Sequence, residues 1–196
     1  MLSDKLGHRL DGYLFPLFQK IFGQRGNPNL LTLLGFVATI LASWLILKGC
    51  WVSAGLMIVL SGLFDLMDGV IARKLGKVSL FGGFFDSVVD RYSDLILLSA
   101  LLLHYARKGE NDLVLLTSVV VIGTALIPYA RATAESRQIS CHIGLMERAE
   151  RIILLSSGAL FGWMEPILWL LAMLTHFTVL QRIYYVWKKL DGSKGG

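Results

Sequence analysis

Long apolar segments alternate with short polar or basic stretches along this chain of 196 residues. The first of them, from about residue 30 to 47, contains no charged residue and is long enough to cross a bilayer as a helix. Because a backbone inside a membrane must satisfy its hydrogen bonds internally, we interpret the apolar segments as helices. The pattern predicts an all-α polytopic membrane protein with six transmembrane helices, at about residues 30–47, 52–72, 79–103, 113–130, 147–162 and 167–187.

Residues 1–25 follow a different pattern, in which apolar positions recur at three- and four-residue steps among basic side chains. This spacing is typical of an amphipathic helix that lies in the headgroup plane. The sequence Gly26-Asn27-Pro28-Asn29 interrupts it, and either asparagine is a suitable N-cap for the first membrane helix. We predict one membrane domain over 1–196, with the interfacial helix at 1–25 and the six-helix bundle at 30–189.

The composition also indicates a membrane protein, since 55% of the residues are hydrophobic and the mean hydropathy is +0.62. The net charge is +5, but the basic residues are scattered between apolar runs, which favours membrane surfaces and anionic substrates over nucleic acid. With both termini in the cytoplasm, only Lys48, Arg107 and Lys108 of the 19 Lys and Arg residues lie outside. The sequence therefore predicts a multi-pass protein of the cell membrane, with both termini and the charged helix ends on the cytoplasmic side.

Four aspartates interrupt the apolar sequence of the second and third predicted helices. On a helix, Asp65 and Asp68 share one face, and so do Asp86 and Asp90. Two helices joined by a short turn would direct all four carboxylates towards one another. Such a group needs cations, because neighbouring negative charges otherwise favour protonation. Mg²⁺ and Mn²⁺ prefer oxygen ligands, so the spacing predicts a site for divalent ions rather than acids on solvated helix ends.

The same stretch has a fixed order of residue types. It reads Asp65-x2-Asp68-Gly69-x2-Ala72-Arg73-x8-Gly82-x3-Asp86-x3-Asp90. This order resembles the signature of the CDP-alcohol phosphotransferase family, integral membrane enzymes of phospholipid synthesis, and the resemblance extends over nearly the whole chain. It implies transfer of a phosphatidyl or archaetidyl group from CDP-diacylglycerol or an archaeal CDP-ether lipid to a small polar alcohol, with release of CMP. It also implies two Mg²⁺ or Mn²⁺ ions and a homodimer.

The resemblance further implies roles for individual residues. Asp65, Asp68 and Asp86 hold the metal ions, while Asp90 is a further ligand and the general base that accepts the proton of the alcohol. The contacts to the CDP-lipid fall on Asn29, Thr32, Asp68, Gly69, Ala72, Arg73, Ser79 and Gly82. Simpler alternatives are that the two glycines permit close helix packing, that Thr32 bonds its own helix backbone, and that Arg73 marks the cytoplasmic side.

The acceptor alcohol is indicated by four arginines in the last three predicted helices, Arg131, Arg148, Arg151 and Arg182. Their placement resembles the branch that makes phosphatidylinositol phosphate or its archaeal ether counterpart from inositol 1-phosphate, and it implies a cationic pocket for the acceptor's phosphate. The alternative is local pairing, of Arg131 with Glu135 and of Arg148 and Arg151 with Glu147 and Glu150. Thr133 stands where this branch often has a second basic residue. Glycerol 3-phosphate, the acceptor of phosphatidylglycerophosphate synthases, and other polar alcohols are therefore alternatives.

A cation transporter is the alternative from a different class, because intramembrane acids near glycines also line ion pathways. A transport pathway needs acids distributed across the bilayer, often within inverted repeats. Here the acids concentrate near one face beside several arginines, and the sequence has no visible repeat. These surroundings suit phosphate groups better than a route for cations, so we favour the transferase.

Overall fold

Six helices and their connections make up the part of the chain that the structure, a computed structural model, describes, which is residues 27–192. The helices are α1 (Pro28–Leu47), α2 (Trp51–Lys74), α3 (Leu80–Lys108), α4 (Asn111–Glu135), α5 (Arg148–Phe161) and α6 (Met164–Gly192). No strand occurs within this range, so the all-α class and the six predicted helices are confirmed. The predicted interfacial helix at 1–25 lies outside the described residues.

Four of the helices, α1, α2, α4 and α6, are long and apolar enough to cross a membrane. Helix α3 has 29 residues but carries charged side chains in its first half. Helix α5 has 14 residues, which at about 1.5 Å per residue give about 21 Å, less than the roughly 30 Å of a hydrocarbon core. The protein is a multi-pass membrane protein, and full crossing by α3 and α5 stays a prediction.

Local capping fixes where two of the helices begin. The side chain of Asn27 accepts a hydrogen bond from the backbone N–H of Asn29 at 3.1 Å, so Asn27 is the N-cap of α1. The side chain of Ser79 accepts one from the N–H of Gly82 at 2.9 Å and caps α3 in the same way.

The sequence predicts that the sixth helix begins at about residue 167, just after Pro166. Instead α5 ends at Phe161 and α6 already begins at Met164, so that Pro166 lies within the first turn of α6. The predicted start is wrong because a proline in the first helical turn lacks only an N–H that has no partner within the helix.

Apolar side chains pack between helices and also cover the outside of the bundle. The core joins residues from all six helices, and Leu98, Leu101 and Leu168 are among its most buried members. Large apolar side chains such as Trp44, Leu115 and Met173 are exposed, as expected where lipid rather than water surrounds the protein. The α1 helix packs against both α2 and α3, while α5 packs against α2 and α6. These contacts bring the acidic and basic helix ends together.

Candidate active site

Three of the four predicted carboxylates form one compact group. Asp65 and Asp68 come from the last part of α2 and Asp86 from the first part of α3, and one oxygen of each lies within 4.8 Å of the other two. The two helices are joined by only residues 75–79, so the chain reverses beside the acidic positions. Asp68 is 6% exposed, and the other two are half-buried.

The chemistry of this group fits a divalent cation. All three side chains offer carboxylate oxygens, which are the ligands that Mg²⁺ and Mn²⁺ prefer. The Asp86 Oδ1 atom is buried and has no hydrogen-bond partner among the described residues. A buried carboxylate oxygen without a partner is costly, and a bound cation would remove that cost. Asp68, by contrast, accepts a hydrogen bond from Thr32 Oγ1 at 2.6 Å, which orients it towards the group.

Asp90 lies beside an arginine rather than within the three-carboxylate group. Arg148 Nη1 is 2.5 Å from Asp90 Oδ1 and also contacts Asp65 Oδ1. From the sequence, Arg148 is predicted to lie in a phosphate pocket, with pairing to Glu147 or Glu150 as the alternative. In the structure its guanidinium instead lies among the aspartates, because the start of α5 packs against the acidic end of α2.

The residues predicted to contact the CDP-lipid line a single cavity of about 210 Å³, at the ends of α1, α2 and α3. Its lining includes Asn29, Thr32, Asp68, Gly69, Ala72, Arg73, Ser79 and Gly82. Asp86 lines the same cavity, so the space opens directly onto the carboxylate group.

Gly82 and Thr32 show how closely the polar groups approach in this cavity. A Cβ on Gly82 would come within 2.9 Å of Ser79 Oγ and 3.5 Å of Asn29 Oδ1. The absence of a side chain therefore keeps two polar atoms near the opening. Thr32 bonds the carbonyl of Pro28 at 3.2 Å as well as Asp68, so its predicted alternative, a bond to its own helix backbone, is also present.

The other three arginines have different partners and do not form one open surface. Arg131 donates to Glu135 at 2.8 Å, which confirms the local pairing considered for it, and both side chains are 43% exposed. Arg151 lies 2.5 Å from Asp94 and is buried. Arg182, also buried, donates to the carbonyl oxygens of Ile143, at 2.8 Å, and Ile127. Arg131 and Arg151 nonetheless lie close enough to Arg182 to interact with its charge.

Arg131 also lines a groove of about 630 Å³ between α3 and α4. Its other charged lining residues are Arg91, Asp94 and Glu135, and the rest of the lining is mostly aromatic and aliphatic, with the hydroxyl groups of Ser87 and Thr124. The groove is large enough for a small polar molecule, and its lining reaches Asp94 on α3.

Asp94 is a site residue that has no role among the sequence predictions. It follows Asp90 by one helical turn, so Asp86, Asp90 and Asp94 form a stripe along one face of α3. Asp94 is buried. Its Oδ2 forms an ion pair with Arg151 Nη2 at 2.5 Å, and its Oδ1 lies 3.8 Å from Arg148 Nε. The repeated four-residue spacing was the signal that could have identified it.

Comparisons with known proteins assign nearly the whole chain to the family that the sequence signature resembles. Residues 26–181 match the CDP-alcohol phosphatidyltransferase family. The archaetidylinositol phosphate synthase of Pyrococcus horikoshii is 36% identical over 166 residues, which cover 84% of this chain and 86% of the relative.

Solved structures of the Mycobacterium tuberculosis phosphatidylinositol phosphate synthase have the same fold. The structure with CDP-DAG bound has a TM-score of 0.79 at 27% identity, over 89% of this chain and 93% of that one. The complex with manganese and citrate has a TM-score of 0.80 at 28% identity, over 89% and 88%. Similarity at this level extends from the sequence signature to the arrangement of the helices.

Proposed function

The chain belongs to the CDP-alcohol phosphatidyltransferase family, and we propose that it transfers the phosphatidyl or archaetidyl group of a CDP-linked lipid to inositol 1-phosphate, releasing CMP. The observation that carries this proposal is the position of the 210 Å³ cavity, which opens directly onto the group formed by Asp65, Asp68 and Asp86. A nucleotide diphosphate needs such an opening beside cation ligands. The alternative of a cation transporter has no support in the family assignment.

We propose that the cavity holds the cytidine nucleotide. Arg73 and the polar side-chain atoms of Asn29 and Ser79 line this cavity, where they would bind the phosphate and ribose oxygens of the nucleotide. Gly69 and Gly82 allow close approach to the backbone, and Asp68 lies at the junction between the cavity and the metal ligands. A divalent cation bound by Asp65, Asp68 and Asp86 neutralises the diphosphate and the departing CMP.

The proposed reaction is a single displacement at the phosphorus atom on the lipid side. Asp90 accepts the proton of the acceptor hydroxyl, and the hydroxyl oxygen forms a bond to that phosphorus. The bond between the phosphorus and the bridging oxygen breaks, and CMP leaves with the electron pair. Asp90 lies one helical turn from Asp86, so base and cation ligands are held at a fixed separation on α3.

The proposal of inositol 1-phosphate as acceptor draws on two kinds of support. Relatives with this overall similarity include an archaetidylinositol phosphate synthase and a phosphatidylinositol phosphate synthase. Arg131 is partly exposed in the groove beside α3, which suits an acceptor that carries its own phosphate. Cytoplasmic termini and a homodimer belong to the same proposal, as does the single domain over 1–196.

The experiment is CMP release by purified protein in lipid nanodiscs that contain CDP-diacylglycerol and Mg²⁺. Inositol 1-phosphate, free inositol, glycerol 3-phosphate and serine are supplied separately, and each assay is repeated with an archaeal CDP-ether lipid. We expect turnover with inositol 1-phosphate and at most background release with the others. Release with another acceptor would keep the reaction and refute the acceptor, whereas no release with any acceptor would refute the proposed reaction.

A further inference from the structure

Two small cavities lie in the interior of the bundle, next to the carboxylate group. Ser61 precedes Asp65 by four residues on α2, and Ser93 follows Asp90 by three on α3, so each serine lies about one helical turn deeper than an aspartate. Asp65 and Asp90 line the first cavity. Ser61, Ser93 and Arg148 line both cavities, so these three side chains connect the interior of the bundle with the site.

Three buried polar atoms of the lining residues have no hydrogen-bond partner within residues 27–192. They are Ser93 Oγ, Arg148 Nε and Asp90 Oδ1. Asp90 Oδ1 lies 2.5 Å from Arg148 Nη1, but this approach lacks the geometry of a hydrogen bond. Ser93 is only 4% exposed. Burial of polar atoms without a partner is costly, so each of the three requires a hydrogen-bonding group in the adjoining space.

Hydroxyl groups on α1 and α2 supply an acceptor on the other side of the cavities. Thr39 Oγ1 and Ser61 Oγ are 2.7 Å apart, and Thr39 donates to the carbonyl oxygen of Gly35 at 3.2 Å. Because a hydroxyl has a single proton, Ser61 is then the donor to Thr39. A lone pair of Ser61 Oγ is left to accept a hydrogen bond from a molecule in either cavity.

We infer that each cavity binds an ordered water molecule, and that Ser93 is a positioning residue that acts on Asp90 through this water. The inference rests on the proposed reaction. Each cavity has a volume of about 10 Å³, which is roughly the space that one buried water molecule needs. Buried water molecules typically make two to four hydrogen bonds to polar groups that otherwise lack a partner, and both cavities offer that number.

The water molecules supply the missing partners. Water in the first cavity donates to Asp90 Oδ1 and accepts from Ser93, and its second proton goes to Ser61. Water in the other cavity accepts from Arg148 Nε and donates to Asp94, which lines that cavity. Asp90 remains a further cation ligand and the general base. Its carboxylate is fixed in direction by the water, and a fixed direction is what proton transfer from a bound alcohol requires.

The first experiment detects the water directly, in a high-resolution crystal structure of the whole protein in lipid with Mn²⁺ and without substrates. The anomalous signal of Mn²⁺ distinguishes the cation from water. We expect one density peak in each cavity, about 3 Å from Ser93 Oγ in the first and from Arg148 Nε in the second. In Ser93→Gly, a further peak should occupy the position of the missing hydroxyl.

The second experiment measures CMP release in nanodiscs, with whichever acceptor the wild type uses. Ser93→Ala removes a hydrogen bond of the water, so kcat should fall about tenfold while both KM values stay within about twofold. Ser93→Gly leaves room for another water molecule and should keep kcat within about threefold of the wild type. A role in packing alone predicts the reverse order, because glycine destabilises a helix more than alanine does.

Ser156→Ala is the matched control. Ser156 is 6% exposed, so it is about as buried as Ser93, but its hydroxyl donates to the carbonyl oxygen of Ile153 at 3.0 Å. Its replacement should leave kcat and both KM values unchanged, which would show that loss of a buried serine hydroxyl is not sufficient to slow the reaction.

Three results would overturn the inference. They are cavities without density in the wild type, an unchanged kcat in Ser93→Ala, and a lower kcat in Ser93→Gly than in Ser93→Ala. Use of another acceptor would refute the proposed acceptor and leave both experiments intact. A wild type that releases no CMP would refute the proposed reaction and the role of Ser93 together, whereas the density peaks would still decide whether the cavities bind water.

Discussion

The CDP-side cavity and the arginine region differ in how their polar side chains are partnered. In the cavity, the predicted residues face one opening, and the contacts of Ser79 and Thr32 lie within the same helix ends. In the arginine region, which consists of Arg131, Arg151 and Arg182, each guanidinium binds an oxygen of another residue. Arg151 is bound to Asp94, and Arg182 to two backbone carbonyl oxygens.

This difference indicates how each region acts on a substrate. The cavity opens directly onto the carboxylate group, so its residues should determine whether reaction occurs at all. An acceptor phosphate near Arg131 must compete with Glu135 or share the arginine with it. The arginine region should therefore adjust affinity for the acceptor by smaller factors.

Removal of divalent cations should have the largest effect on the cavity side. Chelation with EDTA should reduce CMP release to background, because the charges of Asp65, Asp68, Asp86 and the diphosphate would then repel one another. Addition of Mn²⁺ or Mg²⁺ in excess should restore the rate, while Ca²⁺, which prefers a larger and more flexible shell, should restore less. A chelated enzyme with an unchanged rate would contradict the metal assignment.

The Asp90→Asn substitution should be nearly as severe but should act on turnover alone. We expect kcat to fall about 10²- to 10⁴-fold, since the base is lost while the size of the side chain is kept. Binding of CDP-diacylglycerol, measured by retention of labelled lipid on immobilised protein, should change little because Asp90 does not line the cavity. A variant that loses lipid binding along with turnover would assign Asp90 to the nucleotide instead.

Gly82→Ala should have a smaller effect, on binding of the CDP-lipid in the cavity. Its Cβ would lie 2.9 Å from Ser79 Oγ and would disturb the cap of α3, so the KM for CDP-diacylglycerol should rise about tenfold. The KM for inositol 1-phosphate serves as the internal control and should stay within about twofold. If both KM values rose equally, Gly82 would serve the packing of α3 rather than the nucleotide.

Arg131→Gln should have the smallest effect, and it should fall on the acceptor. We expect the KM for inositol 1-phosphate to rise about fivefold, as for loss of one partly exposed charge-assisted contact, while kcat and the KM for CDP-diacylglycerol stay constant. Glu135→Gln is the informative partner variant, because it removes the competing carboxylate. It should lower the KM for inositol 1-phosphate, and an increase would show that the ion pair itself builds the site.

The sequence predicts the cavity side well because local spacing determines most of it. Steps of three and four residues place aspartates on one face of a helix, and the short connection at residues 75–79 keeps the acidic ends of α2 and α3 near each other. The predicted positions of helix ends are less accurate. Helix α3 continues to Lys108, five residues past its predicted end, because polar residues extend a helix as readily as apolar ones.

The partners of the arginines could not be predicted in the same way. Arg148 contacts Asp65 across 83 positions in the sequence, and Arg182 donates to carbonyl oxygens 39 and 55 positions away. Such contacts depend on how α4, α5 and α6 pack, and no local spacing encodes that arrangement. Arg131 is the exception, since its partner Glu135 is one helical turn away.

The most direct test of the account is a competition between acceptors in one reaction. Wild-type protein in nanodiscs receives CDP-diacylglycerol, Mg²⁺ and equal concentrations of inositol 1-phosphate, free inositol and glycerol 3-phosphate, and mass spectrometry identifies the lipid products. The account predicts that the lipid product formed from inositol 1-phosphate dominates and that Arg131→Gln reduces its share. Arg137→Gln is the control and should not reduce it, because Arg137 is exposed and donates to the carbonyl oxygen of Thr133. A product made mainly from free inositol or glycerol 3-phosphate would contradict the proposed acceptor.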